Sequence, residues 1–403
     1  MKLISTSVLA LVLVLTSSPG TFAAQSGSSR SSLIQDHFRQ ASEDLKRNDP
    51  QSALEEFDAI LALDPKNAEA HSNRGAIHLV WGDCKSATDD FRAALAGDAS
   101  LLKAKAMLGI CEKRLGHADA ESLLASSFPK LTDKNLRVRV GMELATLYFQ
   151  NGDLEHAAAT AQSLVDLNPD NVDILYFAQL VYNELADETL NKLAIIAPGS
   201  ARMQQVIAEH LVNLGDLPHA IEHYKKCLQM DPHLPGAHYE LAEAIFQSLP
   251  SDPPTQAEAE NELQTAIKEE GDSSRIECEL ARIALRRDNQ QAAFEHYQRA
   301  FALNPSDVDA QVGLAHFLMA QGKNEEALKY LRMAVETDPL NGEAHYRLGT
   351  LYRKMQMPQE SAKEMKLFQE IKQAKDRLQI IYREMNKRPP VSHEQIPDTP
   401  EQP

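Results

Sequence analysis

Along most of the chain, apolar and small residues recur at three- and four-residue spacing for about a dozen positions, stop at a polar or glycine-containing break, and resume. The stretch from Ala201 to Leu234 is the clearest. Ile207, Ala208 and Leu211 share one stripe, Gly215-Asp216 interrupts it, and Ala220, Tyr224 and Cys227 form a second stripe that stops at Asp231-Pro232. The spacing is that of helices, and each stretch therefore predicts two short helices joined by a tight turn. The same order recurs with a period of about 34 residues. Gly82-Asp83, Gly152-Asp153, Gly215-Asp216 and Gly322-Lys323 share the turn, where glycine accepts the left-handed conformation that ends a helix. Ala87, Ala157, Ala220, Ala293 and Ala327 follow at a fixed distance, where a larger side chain would push the two helices apart. Asp64-Pro65, Asn168-Pro169, Asp231-Pro232, Asn304-Pro305 and Asp338-Pro339 close the units, because proline cannot continue the helix before it. One such unit cannot bury its own apolar face, so the units are expected to stack.

Two further positions hold the same register. One is small (Ala41, Gly75, Gly109, Ala145, Ala208, Ala242, Ala281, Ala315, Gly349) and one is aromatic (Phe57, Phe91, Tyr224, Tyr297). With them, residues 34–376 resemble the tetratricopeptide repeat family, in about ten repeats. The resemblance implies an all-α fold, a right-handed superhelical solenoid of antiparallel helix pairs. Three repeats depart from the pattern. The third is degenerate near 102–136, its second helix ending before Phe128-Pro129. The fifth is short near 172–200, by about five residues in its second helix, and the seventh carries an insertion near 249–254. Helical periodicity continues from Ser361 to Met385 through Met365, Phe368, Ile371, Leu378 and Ile381, which predicts a helix covering the last repeat and ending within 377–388. Residues 389–403 are rich in proline without apolar periodicity and are expected to be disordered.

The first residues follow a different rule. Lys2, the apolar run Val8 to Leu15, and the small residues ending in Thr21-Phe22-Ala23-Ala24 make residues 1–24 a secretory signal peptide, with cleavage expected after Ala23 or Ala24 and a retained anchor as the alternative. Its apolar core is shorter than the ~20 residues of a membrane span. No transmembrane segment is expected once the signal is removed. Residues 25–33 are read as a polar linker. The expected location is the bacterial periplasm or the exterior. A formal charge of −17 argues against nucleic acid or anionic lipid as a partner. Aromatic content of only 6% fits helices packed closely through small side chains.

No Gly-rich phosphate loop, His-Glu-x-x-His motif or nucleophile elbow is present, so no catalytic residue and no cofactor are expected. His219 and His223 lie four apart on one helix, but a zinc site needs three or four ligands and no third is placed, so no metal is expected. His71, His238 and His345 fall at the large fourth position of the repeat, which packing explains. Cys84 and Cys111 are expected close together, as a disulfide or as thiols, and Cys227 and Cys278 as separate buried thiols. The family resemblance implies that first helices line a concave groove through their second, fifth, ninth, twelfth and thirteenth positions. On this chain the candidate partner-binding residues are Phe149, Tyr176, Tyr239, Phe246, Arg275, Arg282, Arg286, Arg353 and Lys354. Arg275, Arg282 and Arg286 share one helical face and suit an acidic segment of a protein or peptide; the alternative is solvated charge balanced by Asp309 and Glu343. The expected function is a non-enzymatic interaction scaffold of the bacterial envelope or periplasm that binds a protein or peptide in the groove. A structural or assembly subunit docking through its ends is the alternative. Nothing in the pattern sets an oligomeric state.

Overall fold

The computed structural model describes residues 27–385; the segments read above as signal peptide and as Pro-rich tail lie outside the described residues. Among the described residues there are 19 α-helices, one 3-10 turn after Ser127, and no strand. The helices fall into two compact units divided after Lys192. The first holds α1 (Gly27–Lys46), α2 (Pro50–Leu63), α3 (Ala68–Val80), α4 (Cys84–Gly97), α5 (Leu102–Leu115), α6 (Ala120–Ser127), α7 (Lys134–Gln150), α8 (Leu154–Leu167) and most of α9 (Val172–Ile196). The second holds α10 (Ala201–Leu214), α11 (Leu217–Met230), α12 (Ala237–Ser248), α13 (Pro253–Glu270), α14 (Ser274–Arg286), α15 (Gln290–Leu303), α16 (Val308–Ala320), α17 (Asn324–Thr337), α18 (Gly342–Lys354) and α19 (Pro358–Glu384).

Successive helices pair as hairpins. Each second helix also touches the first helix of the following hairpin within its unit, and α3, α5 and α7, like α14, α16 and α18, touch one another. First helices therefore form one layer of each unit and second helices the other. Local chemistry explains the hairpin. The turn residue is left-handed at Gly82 (φ 83°), Gly152 (φ 76°), Gly215 (φ 82°) and Gly322 (φ 75°), and Asn48, Asp288 and Gln356 take the same conformation. Asp83, Asp153 and Asp216 then cap the second helix by accepting the backbone N–H three residues on. Ala87, Ala157, Ala220, Ala293 and Ala327 have no exposed surface at all. Close approach is also set from the first helix: a Cβ on Gly75 would lie 2.9 Å from the fully buried ring of Phe91.

A polar bond recurs beside these apolar contacts. His71 Nδ1 lies 2.9 Å from Asp90, His238 Nδ1 2.6 Å from Glu262, and His345 Nδ1 2.6 Å from Glu364. The other ring nitrogen of each meets the carbonyl of the proline six residues earlier, at 3.2 Å (Pro65), 3.1 Å (Pro232) and 3.1 Å (Pro339). Each ring thus ties its hairpin together and fixes the connection leading into it. Packing alone, expected at these positions, understates their part.

Three expectations are corrected. Helix α1 begins at Gly27, so the segment 25–33 read as a linker is helical from that residue. The fifth repeat is not a short helix pair but one helix of 25 residues, α9. Ala186-Asp187 stands where other units have Gly-Asp, and a left-handed alanine costs about 1–2 kcal/mol, so the helix runs on instead of turning. The last helix does not cover its repeat over its whole length. Phe368 and Ile371 of α19 are buried against α18, whereas Leu378, Ile380, Ile381 and Met385 are exposed.

Candidate functional site

In the second unit, four of the candidate residues meet where α12 faces α14. Arg275 stacks on the ring of Tyr239 at 4.2 Å, with a guanidinium nitrogen 3.5 Å from Glu243. One face-equivalent step along α14, Arg282 lies 5.7 Å from the centre of the Phe246 ring and donates to Glu279 at 2.6 Å. Both rings are buried, so the aromatic surface expected to meet a partner is instead covered by the arginines. The two arginines differ in access: the Arg275 side chain is 66% exposed and that of Arg282 only 18%. Arg286 is exposed at the end of the same helix. Burial pushes the Glu279 carboxyl up to about 7; Arg282 opposes that shift, Glu243 and Asp309 add to it, and Arg275 opposes it.

Beyond Arg282 the layer opens into a cleft lined among others by Arg282, Tyr297, Asp309, His316, Glu343 and Arg347. Arg347 bonds Glu343 at 2.6 Å and His316 at 2.7 Å. The cleft is therefore polar and carries both signs of charge. Arg353 and Lys354 are exposed on α18, where the Lys354 ammonium donates to the Met319 carbonyl of α16 at 3.1 Å. Phe149 and Tyr176 belong to the first unit and do not join this group. Phe149 is half-buried edge-on against Phe177 at 6.0 Å, and Tyr176 is exposed.

Sequence reasoning missed Glu243 and Glu279, the carboxylates that meet Arg275 from α12 and Arg282 from its own helix, and His316 and Arg347, which bond each other in the cleft beside them. It also passed over Lys113 and Arg114, although they occupy the two repeat positions that singled out Arg353 and Lys354, and Arg139 at the second position of its repeat. Lys113 Nζ lies 2.8 Å from Glu143 Oε2, joining α5 to α7. Among the described residues no group of three or more His, Cys, Asp or Glu could hold a metal ion. His219 is occupied with Asp216 and His223 with Gln204. All four cysteines are buried thiols, and burial followed by the adjacent Cys84 thiol pushes the Cys111 thiol strongly up. With Glu279 only 4% exposed, its carboxyl does not face an open site. None of the described helices is long and apolar enough to cross a membrane.

Tetratricopeptide repeat family models match residues 38–101, residues 142–171 and 201–234, and residues 284–348. The tetratricopeptide repeat and J domain-containing co-chaperone DNJ1 of Fusarium oxysporum f. sp. lycopersici is 28% identical over 199 residues, 47% of this chain and 38% of that protein. Superkiller protein 3 of Saccharomyces cerevisiae is 23% identical over 308 residues, 74% of this chain and 20% of that protein. The chain thus spans well under half the length of either relative. Among solved structures, that of MamA is similar at 23% identity and a TM-score of 0.35, covering 42% of this chain and 97% of that one. The Cut9 and Hcn1 hetero-tetramer of the APC/C is similar at 13% identity and a TM-score of 0.34, covering 85% of each chain.

Proposed function

We propose that this chain, which belongs to the tetratricopeptide-repeat family, is a non-catalytic scaffold whose layer of first helices binds a protein or peptide partner. The observation that carries the reading is the row of exposed cations on that layer in the second unit: Arg275 held rigid on Tyr239, then Arg286, Arg353 and Lys354, beside a cleft of mixed charge. A stacked guanidinium keeps its fork available at low entropic cost, which suits carboxylates of an acidic partner segment. Tyr239, Phe246 and Arg282 support that row from beneath. The co-chaperone relative is in keeping with partner binding. Residues 1–24 direct export in this reading, which places the scaffold in the bacterial envelope or periplasm.

The test is capture of partners from envelope extract by the wild-type chain and by an Arg275→Glu, Arg286→Glu, Arg353→Glu variant of equal helicity. The variant is expected to lose the principal partner, and the wild-type interaction to weaken as salt screens exposed charge beyond ~8–10 Å. An unchanged set of captured proteins would refute the reading. A second reading, docking through the end of the array, is favoured by the exposed apolar residues Leu378, Ile380 and Ile381 on α19 and Met385 just after it. Loss of capture on removing residues 377–403, with the charge-reversed variant unaffected, would select it.

A further inference from the structure

Two of the buried thiols lie together. Cys84 is the first residue of α4, and Cys111 lies one turn before the end of α5. The two helices pack side by side through a short connection, so the start of α4 meets the end of α5. There the thiols are within hydrogen-bonding reach of each other in one apolar cluster, Cys84 6% exposed and Cys111 fully buried. The thiols of the second unit meet oxygen instead. Cys227 Sγ donates to the Tyr224 carbonyl at 3.0 Å, and Cys278 Sγ to Asp307 at 3.6 Å. A thiol is a weak donor and a weak acceptor, so a contact between two of them adds little to packing, and their reactivity decides what they do.

The surroundings set an order of reaction. Cys84 follows the exposed turn Trp81-Gly82-Asp83, where loosening of the first turn of α4 admits a small molecule. Cys111 stays protonated through burial, followed by the charge and the hydrogen bond of Cys84, while Arg114 acts against that shift. Half-buried Arg139 of α7 is within electrostatic reach of both sulfurs. Once Cys84 is capped, its own ionisation no longer opposes that of Cys111, and both guanidinia remain to favour the thiolate.

We propose that Cys84 and Cys111 are a thiol–disulfide exchange site for a small-molecule disulfide such as glutathione disulfide, and that the bond formed there fastens the second hairpin to the third. The Cys84 thiolate attacks one sulfur of glutathione disulfide, forming a mixed disulfide and releasing one glutathione thiolate. The Cys111 thiolate then attacks the Cys84 sulfur, closing the bond between the two cysteines and releasing the second glutathione. The two protons lost by the cysteines end on the two glutathiones, and the two electrons the cysteines give up reduce the glutathione disulfide. The hairpin fastened is the degenerate one, in which α6 has 8 residues where α4 and α8 have 14. A covalent tie thus falls where packing has the shortest second helix of the unit to act on. The site does not depend on which surface binds a partner; in the export reading the chain meets an oxidising compartment, where such a bond persists.

The test equilibrates the full chain at graded ratios of glutathione disulfide to glutathione, quenches with acid, and labels thiols in denaturant with a maleimide–polyethylene glycol reagent. Gel shift and the masses of tryptic peptides are read. At the oxidising end two thiols are expected to be lost, the Cys84 and Cys111 peptides being joined and two hydrogens lighter, while Cys227 and Cys278 label fully; reductant should restore all four. The oxidised first unit should unfold at a urea concentration on the order of 1 M above that of the reduced one. Cys84→Ala should abolish that difference between redox states, and Cys227→Ala should keep it. The proposal is overturned if all four thiols still label at the oxidising end, if glutathione remains on Cys84 with Cys111 free, or if the joined peptides carry Cys227 or Cys278. Equal urea midpoints for the oxidised and reduced wild type would equally overturn the fastening.

Discussion

Gly313→Ala and Gly349→Ala are chemically identical substitutions inside first helices of the second unit, and the packing around them predicts effects of opposite sign. Alanine is favoured over glycine in a helix interior by about 1 kcal/mol. At Gly313 the new Cβ would lie 2.6 Å from three ring atoms of Tyr297, a distance no real pair of atoms tolerates. Tyr297 is 7% exposed and rests against Phe317 at 6.3 Å, so the ring has little room to withdraw. Overpacking of this kind costs about 1–3 kcal/mol, which leaves Gly313→Ala destabilising by roughly 0–2 kcal/mol after the helix gain. At Gly349 the methyl would meet Met365 Cε and Cγ at 3.1 Å and Glu364 Cβ at 3.4 Å. A thioether chain shifts easily, so most of the propensity gain should survive, about 0.5–1 kcal/mol of stabilisation. Urea unfolding followed by circular dichroism measures both in the same unit and against the same transition. Expected midpoints move down for Gly313→Ala and up for Gly349→Ala with equal slopes. Shifts of the same sign and size would show that close approach to Tyr297 does not govern this hairpin, and with it the account of how the cleft wall is held.

Two further outcomes follow from buried polar groups. The folded pKa of Glu279, pushed up to about 7 by burial, lies above an unfolded value of about 4.3, so its contribution to stability is full at acidic pH and is lost as pH rises through about 7. Glu279→Gln should therefore flatten the fall in stability between pH 5 and pH 8 by on the order of 1–3 kcal/mol, measured as urea midpoints; parallel profiles would contradict it. His345→Ala removes bonds to both Glu364 and the Pro339 carbonyl and should cost about 2–3 kcal/mol. His345→Gln should cost about half as much, because Gln311 at the same repeat position already donates to the Pro305 carbonyl at 2.6 Å; equal thermal shifts for the two variants would refute the role of that carbonyl bond.

What could be read from the chain was what is decided within one hairpin. The left-handed turn, the capping aspartates and the fully buried alanines each depend on a few neighbouring residues, and the period repeats them. The fifth repeat was read as a helix pair with a second helix about five residues short; the physical consequence of Ala186-Asp187 in place of Gly-Asp is no turn at all. The candidate arginines were placed on the correct helix, but their surroundings were not legible. Glu243 comes to Arg275 from the preceding hairpin, and Arg275 and Arg282 lie over Tyr239 and Phe246, so charge and aromatic surface expected side by side are stacked instead.

The histidines show where a longer-range rule was present in the sequence and unread. His37 with Glu56, His71 with Asp90 and His345 with Glu364 are each separated by 19 residues. Gln204 with His223 and Glu277 with His296 show the same separation with the polarity reversed, the histidine now on the second helix. The shared spacing follows from geometry: two antiparallel helices of fixed length joined by a fixed turn bring the same pair of positions face to face in every hairpin. His238 and Glu262 are the revealing case, for they lie 24 residues apart. The insertion near 249–254 lengthens that one connection, and the partner carboxylate has moved along the chain with it so that the bond is kept. A pairing that survives both a reversal of its donor and an insertion within its loop is selected by the spatial register of the hairpin. That register, not the identity of either residue, is what the repeat encodes.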